Sequence, residues 1–523
     1  MSDSEYPTLP LEPACNGQEL ISTVNNLTSL TRLTRCVVAN TLGVWIVAGI
    51  QFGLNGEVFL ARPAEHWTCT AVIDNVTETL TDSNCSIWNE HMCQDVVHTL
   101  HNERTVAAKY NLLCDQEKQL KLAEILFSMG LLVGGLAAGV LADVFGRRVS
   151  LLTGLTSLIV SGIWTVLSPN YYSFAASRFL AGAASHVLLL ASIVLSIEFV
   201  PIRMRAIVTP ASNGAFVVGL CLLALVGYLM RSNWVRMDIL TWCLAIPFLI
   251  MTWILPESPQ WLYSQRRNAK LAATVEKIMH WPFRGSTHSS ATDTFQLVER
   301  QAFGGVHEDC EVTHEPKAAK KETWKIVRLV RSDLRYHILS LFFIWLTASS
   351  IYFGLLFTKN GLSSDLYVNF FLISLAELPS GITSMFLNRK FNRKPVLLAC
   401  ETATLLALVI VAVIFWKFPD DTTEQTVKLV FAMLLKYIVT VVMVSLFLVC
   451  PEVFPTDVRA LAVAIITTAG SGGAFMTPFL ERIGVTQPGL IYTIQSGMML
   501  VSIALTTRIP ETKDRTLTGD GAV

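Results

Sequence analysis

The chain is predicted to be an all-α membrane protein, with twelve transmembrane helices arranged as two pseudo-symmetric six-helix bundles. Three observations predict it. Of the 523 residues, 52% are hydrophobic and 15% charged, where ordinary soluble domains carry roughly 25% charged residues. The apolar residues gather in twelve runs, each near the roughly 20 residues that a bilayer-spanning helix requires. The second half also repeats the first. Glu198-x-x-Pro201-x-x-x-Arg205 returns as Glu452-x-x-Pro455-x-x-x-Arg459, and Pro256-Glu257-Ser258 returns as Pro510-Glu511-Thr512, both at an offset of 254 residues. One short match arises easily by chance. Two at one offset, each at the same point of a six-helix unit, do not.

Residues 1–35 are polar. Arg32 and Arg35, just before the first apolar run (about 36–57), place this segment in the cytoplasm. That run is long enough to stay in the membrane as an anchor, unlike a cleaved leader. Residues 58–120 form a long segment on the opposite face. It holds Cys69, Cys85, Cys93 and Cys114, with glycosylation acceptors at Asn75 and Asn84. The cysteine spacing does not match a zinc site, so disulfides in an oxidising compartment are expected, with three connectivities open. Cys221, Cys243, Cys400 and Cys450 lie in or beside apolar runs, where a thiol acts as a small core residue.

The second and third runs (roughly 122–142 and 149–168) are joined by Gly139-x-x-x-Asp143-x-x-Gly146-Arg147-Arg148. Two arginines in so short a joint put it in the cytoplasm. Gly130-x-x-x-Gly134 and Gly135-x-x-x-Gly139 suit close helix packing. A fourth span from about Tyr171 to Ser196, then spans at about 206–230 and 234–255, complete a first bundle over 36–256. Residues 257–335 are a Lys- and Arg-rich central loop, with an amphipathic helix expected from Asn268 to His280. Spans at about 336–358, 366–388, 395–416, 427–450, 460–480 and 488–508 form a second bundle over 336–510, and 511–523 is a short tail. Arg389, Lys390, Arg393, Lys394 and Arg459 put their turns inside, so both termini are cytoplasmic. Two like-oriented bundles are a transporter architecture, with the substrate near the midplane and access alternating as one bundle rocks against the other.

A family resemblance covers nearly the whole chain. Its elements are the large cysteine-bearing segment, Asn111-Leu-Leu-Cys114, the Asp143 to Arg148 joint, Pro256-Glu257-Ser258-Pro259-Gln260-Trp261-Leu262, Tyr352-Phe353-Gly354-Leu355 and Pro451-Glu452-Val453-Phe454-Pro455-Thr456. On these the chain resembles the major facilitator superfamily and, within it, the organic cation/anion/zwitterion branch of the solute carriers.

The resemblance implies candidate substrate contacts on the spans of the second bundle. Glu377 in span eight matches a cavity position. It either serves as counter-charge to a cationic or zwitterionic substrate or pairs with a basic side chain of another helix. Lys436 in span ten matches a basic position of both cation and anion members, which favours a structural ion pair. Trp345, Tyr352 and Phe353 of span seven, with Phe447 of span ten, offer aromatic faces that attract cations by about 2 kcal/mol when desolvated. Ordinary packing is the alternative for each taken singly. Ser471 stands where cation members tend to carry an acid and anion members an arginine, so the usual reporter of substrate charge is neutral here. Asn388 and Asn392 occupy the second-half region where the Asp and Gly of the joint would be expected.

Arg178-x-x-x-Gly182 follows a superfamily pattern with a structural or gating role, and His186 reads as a hydrogen-bonded interior residue. Asp143, Arg147, Arg148, Glu198, Arg205, Glu452 and Arg459 are expected to form a charge-pair network that locks the outward-facing state and breaks on the inward swing, with Gly146 in the same gating turn. Membrane anchoring alone would explain the arginines and leave the acids beside them unexplained.

The function expected is a secondary carrier of small organic ions (cations, anions or zwitterions such as carnitine) at the plasma membrane, partnered by its substrate and the lipid bilayer. Two alternatives stand beside it: a receptor or scaffold with the same fold, and a sugar-type or proton-coupled carrier. No Walker loop, metal constellation or nucleophile elbow is present, so no enzyme activity, cofactor or metal is expected. A net charge of +0 argues against a nucleic-acid partner.

Overall fold

The apolar runs fold as helices because hydrocarbon leaves the backbone no partner but itself. The computed structural model describes residues 32–54, 68–73, 76–81, 93–97, 105–110, 112, 119–200, 202–230, 233–265, 267, 270–271, 273–274, 334–357, 366–417, 422–454, 459–486 and 488–512. The first bundle is α1 (Arg32–Leu54), α2 (Leu120–Phe145), α3 (Arg147–Leu167), α4 (Tyr171–Phe199), α5 (Ile202–Met230) and α6 (Trp234–Ile254). The second is α7 (Leu334–Phe357), α8 (Leu366–Glu377), α9 (Ser380–Lys390), α10 (Arg393–Lys417), α11 (Thr422–Val453), α12 (Arg459–Thr486) and α13 (Pro488–Thr506). Among the described residues, eleven spans have the length and apolarity to cross a membrane, while the apolar stretch of α12, Ala462–Thr477, is shorter. Asparagines start two of the helices. Asn170 accepts the Ser173 N–H at 2.8 Å before α4, and Asn233 accepts the Arg236 N–H at 3.3 Å before α6.

Two features depart from expectation. Span eight is not one helix: α8 stops at Glu377, and α9 begins after Pro379. Proline has no N–H to continue the ladder, and its ring crowds the preceding turn. The segment between α1 and α2 contains a three-stranded antiparallel sheet in the order β2-β1-β3, with β1 Thr68–Ile73, β2 Val76–Thr81 and β3 Cys93–Val97. Its backbone sets Cys69 opposite Val96, and Cys93 opposite Ala71. Asn75, Asn84, Cys85 and Cys114 lie outside the described residues, as does most of the helix expected between Asn268 and His280.

Glycine closes the first bundle. A Cβ on Gly130 would run into the Phe179 carbonyl of α4, and one on Gly182 into the Phe127 carbonyl of α2. The two backbones therefore touch, as the glycine spacing suggested. Deep in the same bundle Arg178 of α4 is paired. Its Nη2 lies 3.0 Å from Asp238 Oδ1 of α6 and donates to Thr165 Oγ1 of α3 at 2.8 Å. Both side chains are almost fully buried. The second bundle has a buried acid of its own. Glu401 of α10 accepts from Ser502 at 2.9 Å and Thr506 at 3.1 Å, both on α13.

Removing one member of a buried ion pair strands the other charge and costs about 3–5 kcal/mol. Arg178→Met or Asp238→Leu alone should lower the melting temperature of the detergent-solubilised protein sharply, and the double substitution should recover most of the loss. Equal melting points for the single and double variants would show that the two charges do not depend on each other.

Candidate functional site

Two regions hold the candidate residues: the basic end of each bundle and the middle of the spans. At the basic end of the first bundle, Gly146 turns the chain from α2 into α3 with φ +108°, a conformation only glycine adopts without strain. A Cβ there would also collide with Glu257. Glu257 uses the space to accept the Arg148 N–H at 3.0 and 3.2 Å, and the Ser258 N–H at 3.0 Å. A carboxylate is favourable at a helix start, where free N–H groups and the helix dipole both point at it. Arg147 reaches Glu198 of α4 at 3.1 Å and Asp143 at 3.0 Å, and donates to the Ala142 carbonyl at 2.7 Å. Arg148 caps the end of α6 through the Thr252 carbonyl at 3.2 Å and the Trp253 carbonyl. Trp261, from the short helix Pro259–Ser264, donates to the Asp143 carbonyl at 2.9 Å.

The second bundle rebuilds this joint with different residues. Glu511 accepts the Arg393 N–H at 2.9 Å and the Lys394 N–H at 3.1 Å. Arg393 lies 3.5 Å from Glu452 and donates to the Asn388 carbonyl. Lys394 donates to the Thr507 carbonyl at 2.7 Å. Thr512 donates to Glu452 at 2.6 Å.

One expectation is corrected here. Asn388 matches Ala142, whose carbonyl the arginine takes, and so does not stand in place of Asp143. That place is held by Arg389. Asn388 instead donates to Ser445 of α11 at 2.9 Å. The joint keeps its architecture despite the altered sequence, because the glutamate and the first arginine carry it. Each of these pairs closes within one bundle. The side chains of Arg205 and Arg459 lie outside the described residues.

In the middle of the second bundle, Glu377, Lys436 and Tyr352 come together. Lys436 Nζ of α11 lies 3.6 Å from Glu377 Oε2, and both side chains are fully buried. The Tyr352 hydroxyl of α7 donates to both carboxylate oxygens at 3.1 Å. The ammonium also donates to the Tyr352 carbonyl at 3.1 Å and lies 3.0 Å from the centre of its ring. Glu377 is thus paired with a basic side chain of another helix. The cluster joins three helices of one bundle around a neutral sum of charges.

The expected aromatic wall divides. Trp345 packs edge-on against Phe447 at 4.6 Å. Tyr352 belongs to the charge cluster. Phe353, one residue round the helix, stacks on Phe52 of α1 at 6.0 Å and 18°. Phe52 also meets Phe127 of α2 at 5.7 Å and Phe216 of α5 at 5.4 Å, so three helices of the first bundle and one of the second share an aromatic contact. Ser471 of α12 hydrogen-bonds His186 of α4 at 2.9 Å, again from one bundle to the other.

Asp238, Glu257 and Glu401 were not singled out from the sequence. Asp238 and Glu401 could have been found by the rule that flagged Glu377, since a charge inside an apolar span is functional or paired by default. Glu257 was visible only as part of a motif.

Two six-helix bundles with repeated basic-end joints define a protein of the major facilitator class. The sugar (and other) transporter family matches residues 79–519, and the chain belongs to that family as a multi-pass membrane transporter. Solute carrier family 22 member 15-like from Xenopus laevis is 28% identical over 435 residues, which cover 80% of this chain and 81% of that protein. Solute carrier family 22 member 2 from Mus musculus is 29% identical over 419 residues, 79% of this chain and 70% of that one. Among solved structures, the xylose transporter XylE from E. coli is similar with a TM-score of 0.57 at 16% identity, covering 95% of this chain and 100% of that one. The human organic anion transporter MFSD10 has a TM-score of 0.56 at 15% identity, covering 90% and 99%. At such identities the two structures establish the fold.

Gly146→Ala tests the joint. The positive-φ extended backbone alone costs an alanine roughly 1–3 kcal/mol, and Glu257 must also move. A lower melting temperature and reduced surface abundance are expected, whereas a wild-type melting curve would mean that the Glu257 cap does not need the glycine.

Proposed function

We propose that the chain is a secondary carrier of small organic ions, working by alternating access in the plasma membrane with both termini in the cytoplasm. The observation that carries this reading is the buried cluster of Glu377, Lys436 and Tyr352. A charge at the centre of a spanning helix costs roughly 2.5–3.5 kcal/mol on the mildest scale, so a fold with no use for charge there would carry apolar residues. The similarity to solute carrier family 22 members supports the organic-ion class.

The cluster is electrically balanced, and Ser471 adds no charge, so a substrate that itself combines both signs, a zwitterion such as carnitine, suits the site. Such a substrate offers a cation to Glu377 and an anion to Lys436 without leaving either uncompensated. The matching joints of the two bundles support a rocking motion in which each bundle moves as a unit.

Uptake of four labelled compounds by expressing cells tests this: an organic cation, an organic anion, carnitine and a hexose. Saturable uptake of an organic ion, carnitine foremost, is expected. Glu377→Gln should reduce it by at least about tenfold, because it strands the Lys436 ammonium, with the protein still at the surface. If the substrate crosses with net charge, uptake should respond to voltage by about 2.3 kcal/mol per charge per 100 mV. Hexose uptake alone, or no uptake by protein present at the surface, would sink the organic-ion reading.

A further inference from the structure

We propose that Glu401 is a proton-binding site: it stands in the folded protein as a neutral carboxylic acid, and its proton secures α10 to α13. The site does not depend on which substrate the chain carries. Glu401 is the ninth of the 25 residues of α10, about 12 Å along the helix from Arg393 at the basic end. Its side chain is fully buried. Oε1 accepts from the Ser502 hydroxyl at 2.9 Å and the Thr506 hydroxyl at 3.1 Å, both on α13. Among the described residues, Oε2 has no hydrogen-bond partner.

Asp238 and Glu377 are buried acids with a cation beside them, at 3.0 and 3.6 Å. Glu401, among the described residues, enters no ion pair, and its donors are neutral hydroxyls. The charged and titratable groups of the helices packed on α10 are committed elsewhere or stand at a distance. From Pro488 to Thr506, α13 carries no charged residue and no histidine. Its Tyr492 stacks on Phe415, ten residues before Ser502, and Arg508 is exposed past its end. On α11, Lys436 belongs to Glu377, the Tyr437 hydroxyl donates to Thr383, Cys450 is a buried thiol, and Glu452 faces Arg393. Arg389 and Lys390 close α9 at the basic end. On α10 itself, Arg393 and Lys394 donate to the Asn388 and Thr507 carbonyls, Lys417 lies at the opposite end, and neighbouring Cys400 offers only a thiol.

A carboxylate taken out of water without a counter-ion is so unfavourable that the group takes up a proton instead. The contacts of Glu401 fit that form. Two hydroxyls serve Oε1 as the carbonyl oxygen of a carboxylic acid, and Oε2 is left to carry the proton. The proton has a structural consequence. Thr506 holds Glu401, and the carbonyl of the next residue, Thr507, holds Lys394. The proton site and the basic-end joint of the second bundle therefore share one turn at the end of α13. Loss of the proton puts an unanswered charge between α10 and α13 and loosens that turn.

In the unfolded chain a glutamate is ionised above about pH 4.3. The folded protein then holds one proton more than the unfolded one, so this site makes stability fall as pH rises. Melting of the detergent-solubilised protein, followed from about pH 5 to about pH 8, tests this in wild type, Glu401→Gln and Glu401→Leu. Glutamine keeps an acceptor for the two hydroxyls, and neither replacement can ionise. Glu401→Gln should melt close to wild type at about pH 5 and above it at about pH 8, because the wild-type unfolding constant alone gains up to about tenfold per pH unit from this site. Glu401→Leu should gain on wild type over the same range, which keeps the test if the glutamine variant does not fold. The infrared spectrum of the wild type at neutral pH should also show a protonated carboxyl band that both variants lack. A difference in melting that does not change with pH, or the absence of that band, would mean that Glu401 is ionised in the folded protein, and the proposal is then wrong.

Discussion

Hydrocarbon supplies neither counter-ions nor hydrogen bonds, so each charged group carried into a span must be answered by another part of the same chain. The two bundles meet this constraint separately. Arg178 is answered by Asp238 and Thr165 in the first, and Lys436 by Glu377 and Tyr352 in the second. Glu401 finds two hydroxyls on the neighbouring α13. What passes between the bundles in these contacts is neutral: the Phe52–Phe353 stack, the His186–Ser471 bond, and the approach of α2 to α12. Bundles whose charges are settled internally can part without stranding a charge in the membrane.

The same division governs the basic ends. A glutamate just past the last helix of each bundle turns back to cap the helix of the bundle's third span. An arginine at that helix start then ties in a glutamate at the end of the fourth span. Each joint fastens four helix ends to one another, which makes the bundle a unit. In the first bundle, Gly146 permits both the turn and the approach of Glu257. In the second, Asn392 stands at the corresponding place and the cap still forms. Carboxylate to helix N-terminus is therefore the contact common to both joints, and glycine is one way of making room for it.

The break in span eight gives the charge cluster its geometry. Glu377 is the last residue of α8, and the chain turns at Leu378 and Pro379 before α9 resumes. Below the break, Asn388 of α9 binds Ser445 of α11. Above it, Glu377 meets Lys436 of the same helix. α11 is thus gripped on both sides of the proline by side chains from one interrupted span.

Read alone, the sequence determined the number and order of the spans and the internal repeat, because bilayer thickness sets the length of an apolar run and the repeat sits in short linear motifs. It also marked Glu377, Lys436 and Arg178 as charges requiring an explanation. Only the tertiary structure decided what answers each of them. Asp238 lies 60 residues from Arg178, and Lys436 lies 59 residues from Glu377, separations that carry no local pattern. The division of Trp345, Tyr352 and Phe353 among three surroundings was settled by helix rotation, since neighbouring residues on a helix face different partners. The meeting of His186 with Ser471 depends on how two bundles face each other across 285 residues of chain, a relation set by packing that no motif records.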